Sequence, residues 1–171
     1  GKGTPGETIN IYDNGSYLGS ATVDGQGDWA YTVNPAFTNE GAHSLTATSV
    51  DAVGNESAAS EPFVINLDVT PPDVSNVEVT VNPVTADNVV NAAESEGTVT
   101  LGGSVTGVPS DVTQATVTVV VNGTSYEGEI SGDTWSVSVP GSALVADSDQ
   151  QIEVVAAFSD AAGNSAQKQL T

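Results

Sequence analysis

The run Ala115-Thr116-Val117-Thr118-Val119-Val120-Val121, then Asn122-Gly123, then Thr124-Ser125-Tyr126-Glu127-Gly128-Glu129-Ile130 decides the fold. Val117, Val119 and Val121 alternate with Thr118 and Val120, the period of a strand with one buried face. Asn-Gly follows, and a tight hairpin turn needs φ > 0 at both central residues, which Asn and Gly supply. The segment therefore reads as a β-hairpin. Downstream, Ser131-Gly132-Asp133 leads into Thr134-Trp135-Ser136-Val137-Ser138-Val139, a second alternating run that carries a Trp suited to plugging a core.

The same order occurs earlier in the chain. Thr8-Ile9-Asn10-Ile11-Tyr12, Asp13-Asn14-Gly15 and Ser16 to Thr22 form a hairpin, and Asp24-Gly25-Gln26-Gly27-Asp28 leads to Trp29-Ala30-Tyr31-Thr32-Val33. Both segments continue through a Pro-containing connection, Asn34-Pro35 or Pro140-Gly141, into an alternating strand, His43 to Val50 or Gln151 to Phe158. Both then show Asp-Ala-x-Gly-Asn, at Asp51 to Asn55 and Asp160 to Asn164. Five shared features in one order indicate a duplication. Between the copies stands Asp68-Val69-Thr70-Pro71-Pro72-Asp73, where two prolines fix φ and remove backbone donors. The organisation expected is a domain at 1–67, a stiff linker at 68–73 and a domain at 74–171.

In the second copy strands are expected near 74–81, 97–105, 114–121, 124–130, 134–139, 151–158 and 165–170. Short strands at this spacing, with turn chemistry between them, indicate an all-β fold, and seven match a constant-type sandwich. The first copy is expected to be incomplete at its N-terminal side: nothing before Thr8 corresponds to the strands at 74–81 and 97–105. Either those strands lie on another segment, or the domain is split by an insertion.

Composition narrows the function. The 171 residues carry 22 Asp and Glu against 2 basic residues, Lys2 and Lys168, for a formal charge of −20. Phosphate binding needs cations this chain lacks, so nucleic acid is excluded as a partner and anionic membrane surfaces are disfavoured. No apolar run reaches the roughly 20 residues of a membrane span. There is no Cys, hence no disulfide framework and no thiolate metal site. No signal peptide is visible, as expected for a piece of a longer exported chain.

The pattern Pro5-Gly6-x-Thr8-Ile9, Asp24-Gly25-x-Gly27-Asp28-Trp29, Ala42-His43-Ser44-Leu45-Thr46-Ala47 and Asp51-Ala52-Val53-Gly54-Asn55 resembles the bacterial immunoglobulin-like repeats of giant repeats-in-toxin-type adhesins. The second copy resembles their extender type through Asp87-Asn88-Val89-Val90-Asn91-Ala92-Ala93-Glu94 and Asp160-Ala161-Ala162-Gly163-Asn164. The resemblance implies tandem immunoglobulin-like sandwiches with Greek-key topology, type I secretion and display on the bacterial surface. It also implies neighbouring repeats as partners, a role in adhesion and biofilms with the ligand bound elsewhere in the parent protein, and Ca2+ at domain junctions.

Topology assigns candidate ligands. If the strand at 74–81 descends from the linker, the loops at 106–113, 131–133 and 159–164 return to the linker end. They bring Asp111, Asp133, Asp160 and Asn164 beside Asp68 and Asp73, an oxygen-rich set of the kind a hard cation takes. A second tier is Asp24, Asp51 and Asn55 at the equivalent pole of the first copy, with Asp13, Asn39 and Glu40 opposite, and Asp87, Asn91, Glu94, Asp147 and Asp149 at the far end of the second. The competing reading is that Asp and Asn before Gly are ordinary turn formers. Neither an EF-hand nor a Gly-Gly-x-Gly-x-Asp repeat is present.

Catalysis is not expected. His43 is the sole histidine and lies in an alternating strand, where a surface or half-buried structural role is the simpler reading. No nucleophile elbow or phosphate loop occurs. A ligand-binding module for sugar, peptide or ice is the alternative to a spacer and predicts an aromatic-lined concavity.

Overall fold

The computed structural model describes residues 1–148 and 150–170. The chain forms two compact units, Gly1–Val69 and Thr70–Thr171. The first holds strands β1 (Thr8–Asp13), β2 (Ser16–Thr22), β3 (Gly41–Val50) and β4 (Phe63–Leu67). The second holds β5 (Glu78–Val79), β6 (Thr98–Thr106), β7 (Gln114–Val121), β8 (Thr124–Ser131), β9 (Thr134–Pro140), β10 (Ile152–Ser159) and β11 (Ser165–Leu170). The strand expected at 74–81 is reduced to β5, with a 3₁₀ turn at Val74–Asn76 before it, and two short helices, α1 (Ala92–Ser95) and α2 (Gly141–Ala146), form where only loops were expected.

In the second unit all strands join one antiparallel ladder in the order β11-β10-β7-β8-β9-β6-β5. The Asn122-Gly123 turn has φ of 49° and 75°, the conformation its sequence requires. β8 changes partners along its length: Thr124 to Glu129 pair with β7, and Glu129 to Ser131 pair with β9. Gly128 stands at this crossing, where an added Cβ would meet the Ser136 carbonyl oxygen at 2.1 Å. The ladder thus folds back on itself. Val117, Val119 and Val121 of β7 and Val154, Ala156 and Phe158 of β10 share one buried cluster with Val99, Leu101 and Val105 of β6 and Trp135, Val137 and Val139 of β9. Two layers around one core make a β-sandwich, with each large buried side chain contributing about 1.5–3 kcal/mol. The Trp135 indole N–H donates to the Thr80 carbonyl at 2.8 Å, fastening the β5 edge over the core.

The first unit repeats half of this plan. Its sheet order, β2-β1-β3-β4, matches β8-β7-β10-β11. Residues 56–60 extend the β4 edge irregularly along β3, through Ser57 N–H to Ser49 O and Ser60 N–H to Ala47 O, both 2.8 Å. The expected strand at Trp29 to Val33 is not formed. In the second unit the equivalent β9 lies between β8 and β6. In the first, the place of β6 is held by residues 1–3 alone: Trp29 N–H bonds Gly1 O, Gly3 N–H bonds Gly27 O, and Lys2 bridges Asp28. This matches Gly103 to Val105 against Asp133 to Trp135 residue for residue. Beyond Trp29 the segment has no ladder partner, so its alternation does not become a strand. The buried cluster is correspondingly small, Ile9, Ile11 and Val23, with Trp29 and Tyr31 only partly covered.

Candidate metal-binding poles

Asp51 and Asp160 directly follow the counterpart strands β3 and β10 and build the same loop. Asp160 Oδ1 accepts the N–H groups of Ala162 and Asn164, each at 2.9 Å, while its Oδ2 accepts the Asn164 side-chain amide at 2.9 Å. Asp51 Oδ1 accepts from Val53 and Asn55 at 3.0 and 2.8 Å, and Oδ2 from the Asn55 amide at 2.8 Å. Gly54 and Gly163 supply the φ of 90° and 93° that closes each loop. The side-chain amide of Asn55 or Asn164, with the backbone N–H groups, holds each Asp carboxyl below its ordinary range. Asp24 forms a third loop of this kind, accepting Gln26 and Asp28 N–H at 2.9 and 2.8 Å.

Strand register fixes the poles. Ser159 lies opposite Gln114 and Ser165, Ser131 opposite Thr134, and Glu78 opposite Thr106. The loops carrying Asp111, Asp133, Asp160 and Asn164 therefore stand at one end of the second unit, with Asp73. Asp160 is buried, whereas Asp111, Asp133 and Asp73 are exposed. Asp73 caps the 3₁₀ turn, and the Ser75 N–H at 3.0 Å keeps its carboxyl lowered. The Asp111 and Asp133 carboxylates take no hydrogen bond from a described residue, so their lone pairs are available. Asp68 is exposed in the first unit. Among the described residues no three acidic or histidine side chains converge as a ready-made metal centre.

The second-tier positions do structural work. At the far end of the second unit Asn91 and Glu94 form a capping box on α1: Asn91 Oδ1 accepts Ala93 and Glu94 N–H, and Glu94 Oε2 accepts Asn91 N–H at 2.9 Å. Asp87 accepts Val89 N–H and the Thr85 hydroxyl, which lower its carboxyl. Asp147 is buried, and Asp149 lies outside the described residues. In the first unit Asp13 is not a free ligand: its Oδ2 meets His43 Nδ1 at 2.6 Å. His43 is buried, more deeply than its strand pattern suggested. The Asn39 carbonyl takes its other nitrogen, and the Glu40 carboxylate accepts Val69 N–H at 3.0 Å.

An aromatic concavity does occur in the first unit, lined by Ile11, Trp29, Tyr31, Val33, Leu45 and Phe63. Trp29, Tyr31 and Val33 are the counterparts of Trp135, Val137 and Val139, which in the second unit are buried in one cluster with Val99, Leu101 and Val105 of β6.

Residues 1–66 match the family described as Bacterial Ig domain. The whole chain is also similar to solved adhesin structures. One, described as a Ca2+-stabilized adhesin with which an Antarctic bacterium binds ice, is 32% identical over 97% of this chain and 39% of its own, with a TM-score of 0.65. Another, from a 1.5-MDa bacterial ice-binding adhesin, is 30% identical over 98% of this chain and 52% of its own, with a TM-score of 0.64. A bacterial immunoglobulin-like domain of the M. primoryensis ice-binding adhesin is 42% identical over 53% of this chain and 87% of its own, with a TM-score of 0.46.

The chain belongs to the bacterial immunoglobulin-like domain family.

It spans 39% and 52% of the first two adhesin structures. Among curated proteins none matches it. Sequence reasoning on this bacterial immunoglobulin-like chain missed two features, and only the first was readable. The spacing Asn91-x-x-Glu94 is a capping-box signature. The Asp13–His43 pair had no local signal, because it depends on the register that sets Asp13 opposite Leu45, two residues past His43.

Proposed function

We propose that these bacterial immunoglobulin-like units are spacer repeats of an extracellular, non-enzymatic surface adhesin, stiffened by calcium at domain junctions. The observation that carries this reading is the likeness at 30–32% identity across both units to the Ca2+-stabilized and 1.5-MDa adhesins. Domains at 1–67 and 74–171 with a linker at 68–73 belong to the proposal, as do type I secretion and a biofilm role.

The donor chemistry fits the ion. Asp111 and Asp133 offer uncommitted carboxylates, and Asp160 keeps oxygen lone pairs beyond those its loop uses, all hard donors suited to Ca2+. Asp73, Asn164 and Asp68 would complete the set, while Asp24, Asp51, Asn55, Asp87, Asn91 and Glu94 serve their own turns and caps first. When bound, calcium would neutralise carboxylates that otherwise repel one another.

Thermal melting and small-angle scattering, with calcium and with chelator, test the reading. Calcium should raise the melting temperature and lengthen the particle, and unchanged curves in both would sink the junction site. Asp160→Asn sharpens the result, since its amide oxygen retains the Oδ1 acceptor of the loop while the charge is gone. The calcium effect should weaken while the fold in chelator persists.

A further inference from the structure

His43 occupies a site whose geometry demands two N–H groups. Asn39 O, 2.8 Å from Nε2, can only accept. Asp13 Oδ2, 2.6 Å from Nδ1, accepts as a carboxylate. A neutral imidazole has one N–H, so it satisfies one of these partners and an imidazolium satisfies both. Moving the proton to Asp13 instead runs against an intrinsic gap of roughly 2–3 pK units between His and Asp. Burial works against the charged ring, the residue being 5% exposed, and two further features favour it. The ring is stacked on Phe37, with centroids 4.1 Å apart. Asp13 Oδ1 is buried without a partner, so that carboxylate depends on the imidazolium for compensation.

The charged groups around the ring are few. Asp13 faces it from β1, and Glu40 follows Asn39 on the 34–40 segment. β3 carries no other charge, its β4 neighbour across from His43 is Ile65, and the Tyr12 hydroxyl is turned to Glu56.

We propose that protonated His43 is a latch that pins the Phe37 to Glu40 segment to the end of the first unit, and that deprotonation opens it. Glu40 gives the latch reach, because its carboxylate caps the Val69 N–H where the first unit ends. The proton is held by Asp13 and the Asn39 carbonyl, which raise the His43 pKa above the ordinary value of 6.5. A raised folded pKa means that the latch is fully closed below about 6.5 and lost as pH rises through the folded value.

His43 is the sole histidine, so NMR on the full chain reads it without ambiguity. Both ring nitrogens should be protonated at pH 6, with one titration midpoint above 6.5. After correction for intrinsic exchange, protection of the Val69 amide, which Glu40 accepts, should fall about tenfold per pH unit between the open and latched midpoints. Asp13→Asn should lower the midpoint, and His43→Gln should make protection at Val69 independent of pH. A midpoint at or below 6.5, a ring with one protonated nitrogen at pH 6, or protection that stays flat in the native chain would each overturn the latch. Should His43→Gln fail to fold, the native titration and Asp13→Asn still decide.

Discussion

Asp51 and Asp160 each bind three N–H groups of their own loop, and this makes them anions by design of the backbone. Their folded carboxyl pKa values are lowered by the Asn55 and Asn164 side chains together with backbone N–H groups. The contribution to stability is therefore present above the unfolded value of about 3.9 and lost as pH falls through the lower folded value. Urea midpoints should drop between pH 5 and pH 3, and the drop should shrink in the Asp51→Asn, Asp160→Asn double variant. Asp160→Ala is a different experiment: it leaves the Ala162 and Asn164 N–H groups without their acceptor, so it should lower the urea midpoint even in chelator. The sequence showed Asp-x-x-Gly-Asn as turn chemistry, and the structure bears out that reading at both sites. How much donor capacity each carboxylate keeps was invisible, because it depends on where Asn55 and Asn164 place their amides.

At the scale of elements, β9 and the Trp29 to Val33 segment make a controlled comparison. Both alternate, both carry a Trp at or next to their start, and only one pairs along its length. Alternation records which face would be buried, but a strand also needs a partner backbone, and that partner is distant in sequence. Hydrogen exchange should accordingly find the β9 amides protected and those of Tyr31 to Val33 fast. The contact of β6 with the β5 edge is equally sensitive. A Cβ at Gly103 would stand 1.8 Å from the Thr80 carbonyl oxygen and 2.6 Å from the Trp135 indole nitrogen. Gly103→Ala should cost about 1–3 kcal/mol in chemical denaturation, as overpacking does. The short helices were missed for a plain reason: four and six residues are too few to display a helical period.

At the scale of the molecule, the two units have unequal cores and should not melt alike. The large cluster around Phe158 should unfold late and the small one around Ile9 early. Phe158→Ala should remove about 3–5 kcal/mol from the later calorimetric transition and leave the earlier one in place. With 22 acids against 2 bases, added sodium chloride should raise both transitions by screening repulsion. Repetition and sandwich were legible because they follow from local pattern. A metal site is not, since its ligands come from loops far apart in the chain. The ladder of the second unit also has a mechanical meaning. β5 starts at the end where Thr70 enters, and β11 runs from that end to Leu170 at the other. Tension applied between Thr70 and Leu170 therefore loads the β5–β6 and β10–β11 ladders lengthwise. Their hydrogen bonds bear the force together instead of parting one by one, which lets a thin domain resist being pulled out.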